Sequence, residues 1–439
     1  MKLLITCLVA VSMVGMDTTP KVDDKTSLTI EKDINDALQL IKSWNATLLI
    51  NPTPTQSIEI SIPFEQAIHT LKLEPYSIRA DGYTVLMQDE TGALYEVQAG
   101  PIRTLRGSIV ELEESTVAGS LMPDGLHARI RLANGQEYWM EPVGSKITKA
   151  PLNLYAFYRT QDIVPHDGKC GVVQLKQNAL SFGSQSQHEQ LRSIGNELCT
   201  AQLGVDTDYE YYQDWGSDTE ARINQIINSV NLQYESEVDL THEITTIIVR
   251  SDPNDPYTAT DAEELLYEFG YEWFFNQGGI TRDTAHLFTG RELDNSTIGI
   301  AVLGAICDSI YGVGLSQSDF NGNFSCATDL TAHELGHNWN AEHCNCPQHT
   351  MNPYITCANQ FSQSSIDSIT TFAGSLSCTT CETNACDGDV DENGAVDVTD
   401  LLAVVDQWGN SGGSADVNND GVIDVSDLLL IVGNWGPCE

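Results

Sequence analysis

His333-Glu334-Leu335-Gly336-His337-Asn338-Trp339-Asn340-Ala341-Glu342-His343 is the most informative stretch of this chain. His333 and His337 are four residues apart, so on a helix both imidazoles project from one face and can bind one zinc ion. Glu334 lies beside them, where it can move a proton to and from a water molecule that the metal activates. His343 supplies a third ligand if the chain turns sharply after the helix. Three protein ligands leave the fourth coordination position open, which is typical of catalytic zinc sites.

The alternative reading of such a motif is a surface helix with scattered histidines. The third histidine, ten residues after the first, and a methionine at position 351 weigh against that alternative. The required turn falls on Asn340, and asparagine tolerates a positive φ better than other residues except glycine. His242 and His349 are rival ligands by residue type. Neither has helical spacing to the pair, so we interpret both as ordinary polar residues.

The motif resembles that of the metzincin zinc proteases, and the surrounding sequence is similar to the adamalysin/reprolysin (ADAM-like) branch. The similar stretches are residues 283–290, 298–307 and 361–365. The resemblance implies that His333, His337 and His343 bind one catalytic zinc ion, that Glu334 is the general base, and that Met351 forms the turn beneath the metal. Cys344 stands where adamalysins usually have an aspartate, which departs from the branch but not from the metzincin motif.

Residues 198–383 alternate helical and strand patterns, which favours an α/β layer architecture. The predicted helices cover residues 218–234, 261–275 and 328–339, and the predicted strands include 244–249 and 297–303. By the resemblance, this segment is a metzincin (zincin-like) catalytic domain with a mixed sheet and an active-site helix.

Residues 17–197 contain short strand-like runs separated by Gly, Asp or Asn, which predict a β-rich domain. These runs are residues 83–87, 94–98, 106–112, 117–121, 128–132 and 137–141. Near the end of this segment, Cys170 lies in Gly168-Lys169-Cys170-Gly171-Val172, which resembles the cysteine switch of adamalysin precursors. The resemblance implies a prodomain whose Cys170 thiolate fills the open zinc position until the polar linker, residues 181–190, is cut. A disulfide between Cys170 and Cys199 or another cysteine is the alternative.

The beginning of the chain predicts export. Lys2 is followed by an apolar run that is too short to span a bilayer, so residues 1–16 are expected to be a signal peptide; a buried strand or helix is the alternative. Without Cys7 and Cys170, ten cysteines remain, which fits five disulfides in an oxidising compartment. A net charge of -41 argues against nucleic-acid binding, and we expect no transmembrane segment.

Residues 384–439 contain an acidic pattern twice, 27 residues apart, each copy followed by Leu-Leu and Trp-Gly. Oxygen ligands at loop positions 1, 3, 5, 7, 9 and 12 are what calcium coordination requires. These positions are Asp389, Asp391, Asn393, Ala395, Asp397 and Asp400 in the first copy, and Asp416, Asn418, Asp420, Val422, Asp424 and Asp427 in the second. The pattern resembles dockerin type I repeats, which implies a small α-helical, EF-hand-like module with two Ca²⁺ ions and a cohesin-like partner. A disordered acidic tail would not explain the matched Leu and Trp positions.

These features together predict a multidomain, secreted zinc endopeptidase that hydrolyses protein or peptide substrates through a zinc-activated water, with Glu334 as the general base. We expect Cys170 to keep it latent until the prodomain is removed, and the tail to allow attachment to a cell surface. The alternative is a catalytically inactive metzincin-fold binding protein that is displayed through a cohesin-binding tail. The intact Glu334 and three histidines favour the enzyme.

Overall fold

The structure is a computed structural model that describes residues 24–50, 56–64, 67–165, 167–174, 197–317, 323–383, 388–391, 393–410, 412–418 and 421–438. The expected signal peptide (residues 1–16), the linker (residues 181–190), Cys386 and the calcium-ligand candidate Asp420 lie outside the described residues. We call residues 17–197 the N-terminal region.

The N-terminal region is β-rich, as predicted. Its elements are α1 (Asp24–Leu38), β1 (Trp44–Thr47), β2 (Ile58–Phe64), β3 (Ala67–Pro75), β4 (Arg79–Gln88), β5 (Leu94–Val97), β6 (Thr104–Ile109), β7 (Thr116–Met122), β8 (Gly125–Arg131), β9 (Glu137–Pro142), β10 (Leu154–Arg159) and β11 (Lys169–Val173). Eight of these strands form an antiparallel sheet in the order β1-β10-β9-β8-β7-β6-β3-β2. The central strands β7 to β10 are buried along nearly their whole length, whereas burial alternates along the outer strand β2. In β2, for example, Ile62 and Phe64 are buried whereas Glu59 and Ser61 are exposed.

The segment after residue 197 alternates helices and strands and confirms the predicted α/β architecture. Its elements are β12 (Glu197–Thr207), α2 (Tyr209–Trp215), α3 (Thr219–Val238), β13 (Leu240–Val249), α4 (Ala262–Phe275), β14 (Thr284–Thr289), β15 (Thr297–Val302), β16 (Val313–Gln317), α5 (Phe324–Asn338), α6 (Gln363–Ala373) and β17 (Thr380–Thr383). Asp261 caps α4 by accepting hydrogen bonds from the backbone N–H groups of Glu263 and Glu264.

A second, mixed sheet joins this segment to the N-terminal region. Its strand order is β11-β15-β16-β14-β12-β13-β4-β5, and β17 pairs with β12. The N-terminal region therefore supplies the strands at both ends of the sheet. At one end β4 runs parallel to β13, and at the other β11 runs parallel to β15.

Helices cover both faces of this mixed sheet. On one face α3 and α5 pack through a core that includes Ile223, Ile227 and Leu330. On the other face α4 packs through Phe269 and Trp273. The buried isoleucines of α3 lie at the helical spacing predicted from the sequence.

Four disulfides join cysteines of the described residues: Cys199–Cys381, Cys307–Cys378, Cys326–Cys357 and Cys344–Cys346. Because Cys199 is bonded to Cys381, the alternative pairing of Cys199 with Cys170 is wrong. Cys170 is a buried free thiol.

The tail folds around two short helices. It contains β18 (Ala395–Val396), α7 (Val398–Asp406), α8 (Val425–Gly433) and β19 (Gly436–Pro437), and β18 pairs with β19. Val404, Ile423 and Ile431 form a small apolar core between its two copies. Among the described residues, we find no helix with both the length and the apolar character that a membrane crossing would need.

Candidate metal centre

Helix α5 carries the first part of the centre and is buried along its whole length. Asn323 caps its N-terminus by accepting a hydrogen bond from the backbone N–H of Cys326 at 2.9 Å. The helix ends at Asn338, and Asn340 then takes a φ of 71°, which confirms the predicted left-handed turn. This turn brings His343 back towards the helix.

The three histidines of the motif converge through their Nε2 atoms. The Nε2 atom of His333 lies 3.0 Å from that of His337 and 3.2 Å from that of His343, and the remaining separation is 3.2 Å. A tetrahedral zinc ion with bonds of 2.0–2.1 Å holds its nitrogen ligands roughly 3.3 Å apart. The three imidazoles therefore fit a zinc ion to within a few tenths of an ångström.

Backbone carbonyls orient two of these rings. The Nδ1 atom of His333 donates to the Thr350 carbonyl at 2.5 Å, and that of His337 donates to the Ala341 carbonyl at 2.7 Å. Since each Nδ1 carries the proton, each Nε2 presents a lone pair to a metal. Burial lowers the pKa of His333 well below its usual value and that of His337 to about 3, so both rings are neutral, as metal binding requires.

Glu334 is fully buried beside the histidines. Its Oε2 atom accepts a hydrogen bond from the Cys170 thiol at 3.1 Å, and its Oε1 atom has no hydrogen-bond partner among the described residues. A Cβ atom at Gly299 of β15 would lie 2.3 Å from Oε1, so only glycine leaves room for the carboxylate. Burial raises the pKa of Glu334 well above its usual value.

Strand β11 brings Cys170 to the same place. Its Sγ atom and the ligand nitrogens of the three histidines all lie within 4.8 Å of one another. The backbone N–H of Cys170 donates to the Pro353 carbonyl at 3.0 Å, and the N–H of Ile355 donates to the Gly168 carbonyl at 2.9 Å. Burial, followed by the nearby Glu334 carboxylate, raises the pKa of the Cys170 thiol; a bound dication would have the opposite effect.

Met351, the residue that the resemblance assigns to the turn beneath the metal, packs against helix α5 at Gly336. It is fully buried, and a Cβ atom at Gly336 would lie 2.6 Å from its Sδ atom. The rival histidines His242 and His349 do not belong to this cluster of potential metal ligands, as far as the described residues show. His242 is buried elsewhere, where its Nδ1 atom contacts Asn231 and its Nε2 atom accepts from Trp339.

Sequence reasoning missed Asp329, which holds the Met351 loop against α5. Its carboxylate accepts hydrogen bonds from the Thr350 hydroxyl and from the backbone N–H groups of Ala358 and Asn359, at 2.8–2.9 Å. Thr350 is the residue whose carbonyl orients His333. Asp329 lies one helical turn before His333, so the i, i+4 spacing in the sequence was the available signal.

The first acidic loop of the tail brings three of its six predicted calcium ligands together. Carboxylate oxygens of Asp389, Asp391 and Asp400 lie within 4.8 Å of one another. The chain wraps around them because the N–H groups of Asn393 and Gly394 donate to Asp389, and that of Asp391 donates to Asp400. Ala395 follows in β18, and Asp397 caps α7 by accepting from the Thr399 N–H.

The second loop repeats these contacts. The N–H of Gly421 donates to Asp416, the N–H of Asn418 donates to Asp427, and Asp424 caps α8. The Oδ1 atom of Asp416 is buried without a hydrogen-bond partner among the described residues, which suits a cation ligand. Val422 is half exposed beside the loop, so its side chain does not block it.

Comparisons with known proteins find matches both for the segment that carries the metal centre and for the tail. Residues 199–386 match the reprolysin profile of metallo-peptidase family M12, and residues 387–434 match the dockerin type I domain. Snake venom metalloproteinase H5 of Deinagkistrodon acutus is 25% identical to this chain over 263 residues, which are 57% of this chain and 63% of that protein. The chain thus spans less than two thirds of the length of this relative. It contains a reprolysin-type metallo-peptidase domain of family M12, followed by a dockerin type I domain.

Proposed function

We propose that this protein is a secreted zinc-dependent endopeptidase that is made as a latent precursor. Its catalytic domain is residues 198–383, and residues 17–197 serve as the prodomain after a signal peptide at residues 1–16. One observation carries the proposal: three imidazole Nε2 atoms converge within 3.2 Å of one another beside the buried carboxylate of Glu334. This arrangement offers three neutral ligands and one proton acceptor.

When bound, zinc would polarise the scissile carbonyl and acidify a water molecule. The residues of the chain do the rest. His333, His337 and His343 hold the ion. Glu334 accepts the proton of the attacking water and passes it to the leaving amine. Strand β15 presents a sheet edge with which an extended polypeptide can pair, in the place where β11 now lies.

Latency follows from the same geometry. Cys170 occupies the space between Glu334 and the three histidines, where the attacking water must enter. As a thiolate it would also be a strong zinc ligand. We therefore propose that cleavage after β11, followed by departure of Cys170, activates the enzyme.

The tail is proposed to bind two calcium ions and to attach the enzyme to a cohesin-like partner. Side chains at equivalent positions of the two copies are apolar and exposed on α7 and α8, namely Leu402 with Leu429 and Val405 with Val432. Trp408 and Trp435 are half exposed just after the two helices. Exposed apolar residues repeated in this way support a protein-binding surface.

The decisive experiment compares processed wild-type protein with its Glu334→Gln variant. Gln has the same shape but cannot accept the proton, so peptide hydrolysis should fall by about 10²- to 10⁴-fold. Zinc content, measured on both proteins, should stay equal, and a chelator should abolish the wild-type activity. If both proteins are folded, contain zinc and are equally inactive on a peptide library, the inactive binding protein is the better reading.

A further inference from the structure

The outer face of α4 carries an exposed aromatic cluster that the metal centre does not use. Tyr267, Tyr271, Phe274 and Phe275 are spaced so that they lie on one side of the helix. Tyr271 and Phe275 are 64% and 68% exposed, and their rings stack with centroids 5.7 Å apart. Contiguous apolar surface of this kind marks an interaction site more often than chance exposure.

Beside this cluster lies a cavity of about 250 Å³, which we call the aromatic cavity. Its walls include Leu266, Gly270, Tyr271 and Phe274 of α4, together with Val302 of β15. One further wall residue is Val173, which belongs to β11 of the N-terminal region. The cavity is thus continuous with the edge of β15, where we propose that substrate pairs.

The pairing of β11 with β15 explains why Val173 reaches this cavity. Successive side chains of a strand point to opposite faces of the sheet. Cys170 belongs to the core on the α5 side, whereas Val173, opposite Val302, packs with the core on the α4 side. Consider a polypeptide that pairs with β15 and has one of its residues at the metal centre. The side chain of the residue three positions further along that polypeptide then points towards α4.

We infer that the aromatic cavity is a subsite for a large apolar side chain of the polypeptide that pairs with β15. The processed enzyme then selects extended substrates that carry such a residue about three positions from the cleaved bond, on one side only. Val173 fills this place in the latent protein, and the cavity extends beyond it, so leucine or phenylalanine fits better than valine. The inference rests on the proposed peptidase function, but the binding step can be tested without catalysis.

Gly270 provides the means to close the cavity. A Cβ atom there would meet its nearest neighbours, the Ile310 carbonyl oxygen and Val313 Cγ2, at 3.6 and 3.9 Å, which is ordinary contact distance. Gly270→Ala is therefore tolerated and serves as the matched control. Gly270→Leu uses a residue with high helix propensity and extends its side chain into the cavity.

The first test uses the full-length latent protein and measures how fast a thiol reagent labels Cys170. Because labelling requires β11 to leave β15, Val173→Ser should accelerate it about 10-fold, and Val173→Leu should slow it about 4-fold. In the Gly270→Leu background, Val173→Leu should no longer slow labelling, whereas in Gly270→Ala it should. Equal rates for Ser, Val and Leu at position 173, in proteins that unfold at the same temperature, would overturn the inference.

The second test profiles the cleavage of a peptide library by the activated protein. Wild type and Gly270→Ala should favour Leu, Phe and Tyr at one position about three residues from the cleaved bond, by about 10-fold over Ser. Gly270→Leu should lose this preference and still cleave short peptides that do not reach the cavity. Cleavage without any such preference removes the subsite and leaves the peptidase standing. If the wild type cleaves nothing, the proposed function fails, and the labelling experiment alone decides whether the cavity binds apolar side chains.

Discussion

Arg129 is the side chain whose replacement should loosen the N-terminal region most from the metallo-peptidase domain. It is fully buried in β8, where Glu137 holds its guanidinium through contacts of 2.8 and 3.0 Å. From there it donates across the interface to two backbone carbonyls, that of Ser229 in α3 at 2.8 Å and that of Asn359 at 2.6 Å. Arg129→Met keeps most of the volume and removes both of these bonds.

The expected magnitude follows from these contacts. A hydrogen bond from a charged donor contributes about 1.5–3 kcal/mol, so two of them contribute roughly 3–6 kcal/mol. In the variant, Glu137 still has Arg131 as an ion-pair partner at 3.2 Å. The free-energy cost of losing Arg129 as a partner of Glu137 applies to the N-terminal region both when it is docked and when it is free, so this cost largely cancels from the association free energy. We therefore expect association to weaken by about 3–4 kcal/mol, which raises Kd by about 10²- to 10³-fold.

The assay is a dilution series of protein cut within residues 175–196, with the co-elution of the two fragments measured by gel filtration. Arg103→Met is the matched control, because Arg103 donates only to the Leu121 carbonyl within the N-terminal region among its described contacts. It should leave Kd unchanged. A change of less than 3-fold for Arg129→Met, or an equal change for both variants, would refute the argument that the interfacial hydrogen bonds hold the region in place.

Three further outcomes are expected. Cys170→Ala in the uncut precursor should produce peptidase activity without processing, because β11 loses its thiol ligand to the centre and leaves the edge of β15 more often; unchanged latency would remove the switch. Calcium should change the fluorescence of Trp408 and Trp435 saturably, and Asp400→Ala should abolish the change in the first copy, which a titration of both proteins will reveal. Burial raises the pKa of Asp208 to about 7, above the usual value near 4, so the folded state takes up a proton and stability rises as the pH falls from about 7 to about 4. Asp208→Asn should flatten that dependence in urea unfolding curves.

The metal centre could be predicted because its determinants are local in sequence. Helical periodicity places His333 and His337 together, and a turn at Asn340 returns the chain within a few residues. The two acidic loops of the tail were predictable for the same reason, since twelve consecutive residues contain the proposed calcium ligands of each loop. By contrast, the buried carboxylate of Asp329 supports the centre by accepting hydrogen bonds from residues 21–30 positions later in the chain. The sequence around Asp329 contains no pattern that predicts those partners.

The sequence did not predict which strands pair with one another. The short run at residues 83–87 predicts a strand, and the structure has one there, but the run does not indicate which strand lies beside it. In fact Val85 pairs with Ile247, which lies more than a third of the chain length further along the sequence, and so joins the sheet of the metallo-peptidase domain. Parallel pairing over such a distance depends on which apolar faces remain uncovered after the rest has folded.

The N-terminal region covers two strands of the mixed sheet that would otherwise be edges, β15 and β13. Exposing each of these edges would have a different consequence. Under the proposed function, the edge of β15 must open before a polypeptide can pair beside Glu334, so we expect β11 to maintain latency. The edge of β13 gains no function by opening, because its residues Ile247 and Ile248 are fully buried and would form an unpaired apolar strand, which is an aggregation hazard. β4 covers that strand, and the sheet then ends at β5, which is four residues long and exposes Glu96, as a protected edge should. We therefore propose that the N-terminal region has two separable roles, inhibition at β15 and stabilisation at β13, and we expect loss of β11 alone to be enough to uncover the metal centre.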